Sequence, residues 1–207
     1  MKKNRMSWAQ RRLQQLREAK KIVAYHEAGH AVAARLLGVT ITETQVHLKR
    51  SEPSIHVQTR SAGDAARGTP EFRKGLEADI QVTLAGGIAQ QCYSPQSYTG
   101  DEVEDDTQNA AAAAVRHCLE SGNGESGTAF RFGGTIPPEA ADLLHRMHEP
   151  TVGLIKENWD KVERVAAAFL KHGKLTQAEI DATMTDNSQQ LGCWPFSTSQ
   201  ARPTPDS

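Results

Sequence analysis

The sequence predicts a mainly helical α+β domain, a helical bundle carrying one small antiparallel β-hairpin. Three observations lead there. Apolar residues recur at helical spacing over residues 22–37, 76–88 and 138–171. Start and stop signals bracket those runs: Pro70 at a helix start, Gly38 and Gly173 at helix ends. Only two short segments, 39–48 and 54–59, alternate apolar and polar residues as strands do.

Residues 7–20 read as a polar helix with Ser7 as its N-cap. Residues 21–37 read as a second, stronger helix, with apolar faces from Ile22, Val23, Ala33, Leu36 and Leu37. Lys49-Arg50-Ser51-Glu52-Pro53 is a polar turn between the two strands, so a hairpin is the simplest pairing. A Gly- and Ala-rich stretch at 61–69 precedes a helix from Pro70 to about Gln91, in which Leu76, Ile80, Leu84 and Ile88 recur every four residues. Gly86-Gly87 costs that helix roughly 1 kcal/mol per glycine relative to alanine, so the pair predicts close packing of another backbone.

After a loop at 93–104, a helix is expected over 106–120, with the run Ala110–Ala114 inside it. Residues 121–136 are Gly-rich and read as a loop. The next helical stretch, 138–171, is expected to break near Pro150. Trp159 and Phe169 read as core anchors within it. Thr176 and Glu179 have the spacing of a capping box for a last short helix. From Asp186 the chain becomes a Ser/Thr/Gln/Pro tail and is expected to be disordered. The expected organisation is a basic N-terminal helix or extension over 1–20, a main domain over 21–185 and a tail over 186–207.

Mean hydropathy is −0.56 and the formal net charge is −1, which gives no general attraction to nucleic acid or anionic lipid. Lys2, Lys3, Arg5, Arg11, Arg12, Arg17, Lys20 and Lys21 make the start locally basic, as a solvated helix face would be. Cys92, Cys118 and Cys193 are odd in number and have no paired spacing, which suits a reducing cytoplasm. Neither a membrane-spanning run nor a secretory signal is found, so the expected compartment is the cytoplasm.

His26-Glu27-Ala28-Gly29-His30 carries the chemistry. On a helix, residues four apart are rotated by about 40° and separated by about 6 Å along the axis. Both imidazoles can then reach one metal ion, and neutral imidazole suits zinc. Glu27 leans toward the same face, where a carboxylate can take a proton from water and pass it to a leaving amine. A third ligand is needed. Asp106 is a candidate, with Asp105 and Asp101 as rivals; all three also read as ordinary acidic residues at a helix start. His47, His56, His117, His145, His148 and His172 lack ligand spacing.

The segment Ile22-Val23-Ala24-Tyr25-His26-Glu27-Ala28-Gly29-His30-Ala31-Val32 resembles the zinc helix of the FtsH-type peptidase domain. Leu84-Ala85-Gly86-Gly87-Ile88-Ala89 is similar to that family's Gly-rich helix. Tyr98-Thr99-Gly100 followed by Asp106-Thr107-Gln108-Asn109-Ala110 resembles the segment that supplies its Asp ligand. Residues 154–180 resemble its C-terminal helices, so the likeness runs from about residue 15 to 184. It implies a mostly helical domain with a small sheet, zinc held by His26, His30 and Asp106 rather than Asp105, and Glu27 as general base. It further implies assembly into a homo-oligomeric ring; the expected substrate is an unfolded protein or peptide, and the expected partner is a second copy in such a ring or a separate ATPase. Where such peptidases present a strand edge to the substrate backbone, this chain has residues 54–59, either a docking edge or an ordinary hairpin strand.

The sequence departs from that pattern in three places. No GxxxxGK[ST] phosphate loop occurs in it. Thr107 stands where the family has an aliphatic residue, and Gln90-Gln91 stand where it has Glu-Glu. The expected function is a zinc-dependent metallopeptidase. The alternative is a proteolytically inactive zinc-binding or interaction domain of the same fold.

Overall fold

The computed structural model describes residues 7–47, 54–60, 66–97, 104–120 and 135–186. Among them lie six α-helices and one hairpin. α1 spans Trp8–Leu36, β1 Thr40–His47 and β2 Ser54–Arg60; α2 is Pro70–Tyr93 and α3 Glu104–Glu120. α4 is Pro138–Glu157, α5 Trp159–His172 and α6 Gln177–Thr185. The mainly helical reading holds. The turn expected at 49–53, residues 61–65 of the loop expected at 61–69, residues 98–103 of that at 93–104, residues 121–134 of that at 121–136, and the expected tail beyond Asp186 lie outside the described residues.

The two helices expected over 7–20 and 21–37 are a single helix. Nothing between them breaks it: residues 8–36 contain no proline, and Gly29 is the sole glycine. Its start is a full capping box, with the Ser7 hydroxyl accepting from the Gln10 N–H and the Gln10 side chain accepting from the Ser7 N–H. The expected boundary at residues 20 and 21 marks a change in burial. Side chains up to Gln15 are exposed, and from Ala24 onward the helix enters the core.

α2 is the central helix and packs against α1, α3 and α4. Two apolar clusters meet along it. One gathers Val32, Val82, Ile88, Ile155, Val165, Phe169 and Ile180 from α1, α2, α4, α5 and α6. The other gathers Ile80, Ala114, Val115 and Leu143 from α2, α3 and α4. Leu84 touches both. Phe169 is fully buried and Trp159 nearly so, as core anchors should be. Tyr25 stacks on Tyr93 at 4.0 Å between centroids and on Trp159 at 5.5 Å, tying α1, α2 and α5 together beside His26.

The break expected near Pro150 falls at Asn158 instead. Pro150 lies inside α4. The Thr151 hydroxyl, which donates to the Met147 carbonyl at 2.6 Å, adds a bond in the neighbouring turn. Asn158 breaks the ladder: its side-chain amide donates to the Leu154 carbonyl at 2.9 Å, the acceptor its own N–H would use in a continuing helix, and that N–H turns to the Ile155 carbonyl at 3.3 Å. Gly173 ends α5 at φ +79°, a conformation natural to glycine, and the Thr176–Glu179 capping box opens α6. Arg35 grips Asp181 through two bonds of 2.6 and 3.1 Å, joining the end of α1 to α6.

The hairpin pairs Thr40 with Arg60 and His47 with Ser54, with an irregularity between Ile41 and Glu43. It is pinned where α5 connects to α6. Thr44 donates to the Leu175 carbonyl at 2.5 Å and accepts from the Leu175 N–H at 3.0 Å, while the Ile41 N–H donates to Gln177 Oε1.

Candidate metal centre

Two helices bring three electron-pair donors to one point. His26 and His30 come from the buried half of α1, and Asp106 from the first turn of α3. His26 Nε2 and His30 Nε2 lie 3.0 Å apart, and Asp106 Oδ2 lies 3.0 and 3.1 Å from them. Asp105, one residue away, is exposed, and Asp101 lies outside the described residues.

α1 and α2 can approach this closely because of two glycines. A Cβ on Gly29 would meet the Ala85 carbonyl oxygen and lie 2.7 Å from the Ala89 Cβ. A Cβ on Gly86 would fall on the His30 ring, against Nε2 and Cε1 and 2.8 Å from Cδ2. The backbone contact predicted for Gly86-Gly87 is thus made at Gly29, whereas Gly86 clears space for an imidazole.

That space sets how His30 is held. Over Gly86 the ring reaches one turn back, and Nδ1 meets the Val82 carbonyl at 2.8 Å. A carbonyl can only accept, so Nδ1 carries a proton. His26 Nδ1 lies 3.0 Å from Gln90 Oε1. The Gln90 amide nitrogen donates to the Ser97 carbonyl at 3.3 Å, which turns its oxygen toward His26. His26 Nδ1 therefore carries a proton as well, and each neutral imidazole presents the lone pair of Nε2 to the cluster.

The residues fit a metal ion. Asp106 Oδ2 is buried with no hydrogen-bond partner, although two imidazole nitrogens stand near 3 Å from it. The contacts have ion-pair distances without hydrogen-bond alignment, as expected when all three atoms face a common point. Ligand atoms at tetrahedral angles around zinc, with bonds of 2.0–2.1 Å, lie about 3.3–3.4 Å apart, only a few tenths more than here. Two imidazoles and a carboxylate are also a donor set zinc accepts. His26, His30 and Asp106 form the group among the described residues that could hold a metal.

Without metal the cluster traps a proton. Burial disfavours a charged His30, but the adjacent Asp106 and Glu27 carboxylates and the Val82 carbonyl outweigh it and push its pKa up to about 9. Burial likewise disfavours a charged Asp106, yet His26 and His30 hold its carboxyl well below the usual carboxylate range.

Glu27 is 5% exposed, and its Oε2 accepts from the Val57 N–H of β2 at 2.9 Å. The N–H at the middle of the expected docking edge is therefore already bonded, and to the expected general base. His145, His148 and His172 are exposed. His117 has a partner that spacing could not reveal, Glu77 on α2 at 3.1 Å. Sequence reading missed the roles of Val82 and Val57 because both act through the backbone. It singled out Gln90-Gln91 as a departure from the Glu-Glu of a similar helix, at a position from which a side chain could orient a ligand histidine, and Gln90 is the one that meets His26.

The chain is 28% identical over 195 residues to the ATP-dependent zinc metalloprotease FtsH 1 of Thermoanaerobacter sp. (strain X514), covering 78% of this chain and 30% of that protein. Its relatives are FtsH-type zinc metalloproteases. FtsH 2 of Sphaerobacter thermophilus is 27% identical over 206 residues, covering 90% of this chain and 30% of its own. The FtsH of Corynebacterium glutamicum is 26% identical over 198 residues, covering 81% of this chain and 22% of its own. The chain thus spans less than a third of the FtsH proteins it matches, and no protein-family model matches it. Among the described residues, no helix is long and apolar enough to cross a membrane.

Two outcomes are expected. Gly86→Ala should lower zinc affinity at least about tenfold by displacing His30, although alanine favours the helix by about 1 kcal/mol. Unchanged affinity, measured by chelator competition, would contradict the assigned role of Gly86. The proton trapped on His30 must leave when metal binds, and its raised pKa means that it is held until pH rises through about 9. Apparent zinc affinity should therefore climb about tenfold per pH unit from neutrality to that point and then level off. A pH-independent affinity would show that no such proton is displaced.

Proposed function

We propose that this chain is a zinc-dependent metallopeptidase that hydrolyses peptide bonds with water, with Glu27 as general base and His26, His30 and Asp106 as metal ligands. The observation that carries this is the meeting of His26 Nε2, His30 Nε2 and Asp106 Oδ2 within 3.1 Å, with the buried Glu27 carboxylate on the same helix. The names of the relatives supply the reaction class. When bound, zinc makes water acidic enough to lose a proton near neutral pH and polarises the substrate carbonyl.

The residues of the chain do the rest. Glu27 takes the proton from the attacking water and returns it to the departing amine, so no covalent enzyme intermediate is needed. Val82 and Gln90 hold the two imidazoles in the tautomer that ligation requires. Asp106 supplies the one negative charge among the ligands.

We place the unit that performs this chemistry at residues 21–185. The substrate we infer is an extended peptide or an already unfolded chain, cleaved without ATP. Action on folded proteins would call for a homo-oligomeric ring and a separate ATPase, by likeness to relatives whose names carry ATP dependence.

The test measures bound metal and the cleavage of casein or a peptide. The wild type should hold about one zinc and cleave. Glu27→Gln should keep its zinc and lose activity by about two to four orders of magnitude. Asp106→Ala should lose zinc while Asp105→Ala keeps it. Zinc bound by a wild type that cleaves nothing would leave an interaction domain of the same fold.

A further inference from the structure

A proton acceptor in a hydrolytic site works only if its carboxylate is held at the right place. Glu27 has three flexible side-chain torsions. β2 supplies a restraint on its far end, where the Val57 N–H donates to Glu27 Oε2 at 2.9 Å. An N–H bonded to a carboxylate is among the stronger hydrogen bonds, and this carboxylate is buried.

The donor is itself fixed through a chain of contacts. Val57 is the register partner of Thr44 in β1. Thr44 is 1% exposed, and its hydroxyl is bonded in both directions to the backbone of Leu175, in the connection between α5 and α6. Val57 also packs against the larger apolar cluster. The position of Glu27 thus depends on the hairpin, and the hairpin on the C-terminal helices.

We propose that the Val57 backbone N–H is a positioning group for Glu27, held in register by Thr44. This rests on the reading of Glu27 as general base. It replaces the view of β2 as an edge offered to substrate at residue 57, since a peptide strand taking that N–H would have to displace the carboxylate.

The experiment replaces Val57 by its α-hydroxy acid, which removes the N–H and keeps the isopropyl group. The zinc-loaded ester variant should lose kcat about 10- to 100-fold, with KM and zinc content unchanged. A rise in KM alone would make the edge a substrate site and overturn the proposal, as would an unchanged kcat. Thr44→Val is the second variant and should lower kcat in the same pattern without touching KM.

A readout independent of catalysis uses the metal-free protein. The Val57 amide proton should exchange at least about tenfold faster with solvent in Glu27→Ala than in the wild type. Equal exchange rates would show that the bond does not form. If the wild type cleaves nothing, this measurement still decides the contact, and only the reading of Glu27 as base fails.

Discussion

Every other feature of the site depends on holding three electron-pair donors within 3.1 Å of one another below the surface. Two imidazole lone pairs and a carboxylate have no reason to share a point unless a cation sits among them. The metal-free cluster meets the same demand with a proton, which is why His30 is pushed so far up while Asp106 is held down. Metal and proton compete for one place, and the fold supplies the place.

That place comes from the α1–α2 contact. Gly29 lets the backbones close at Ala85, and Gly86 then accepts the His30 ring where any side chain would collide with it. The ring needs this opening to reach the Val82 carbonyl, and that bond aims Nε2 at Asp106. A glycine that weakens α2 as a helix is therefore the condition for ligation. α3 contributes through its start: Asp106 reaches the pair because α3 packs along α2 one layer away. The hairpin reaches the same centre from the other side, through Val57 and Glu27.

Much of this could be read from the sequence, and the rest could not for identifiable reasons. The meeting of His26 and His30 was legible because two residues four apart share a face by helix geometry alone. The capping box at Thr176 and the stop at Gly173 are local, and they formed as written. Asp106 lies 76 residues from His30 in sequence, and the residues alone did not separate it from Asp105; the family resemblance did, and the packing of α3 places it beside the histidines. Pro150 misled because the break follows Asn158, whose side chain competes for a backbone acceptor. The single long α1 was missed because a polar stretch followed by an apolar one reads as two helices, although only burial changes along it. Val57 and Val82 left no trace, because backbone groups are the same in every residue.

The most direct test of the centre is zinc K-edge X-ray absorption on the metal-loaded protein. Two imidazole nitrogens and at least one oxygen at about 2.0–2.2 Å, with no sulfur, are predicted for the wild type. In Gly86→Ala the imidazole contribution should fall to one, because His30 is the ring displaced. A sulfur scatterer near about 2.3 Å, or an imidazole count unchanged by that substitution, would contradict the account.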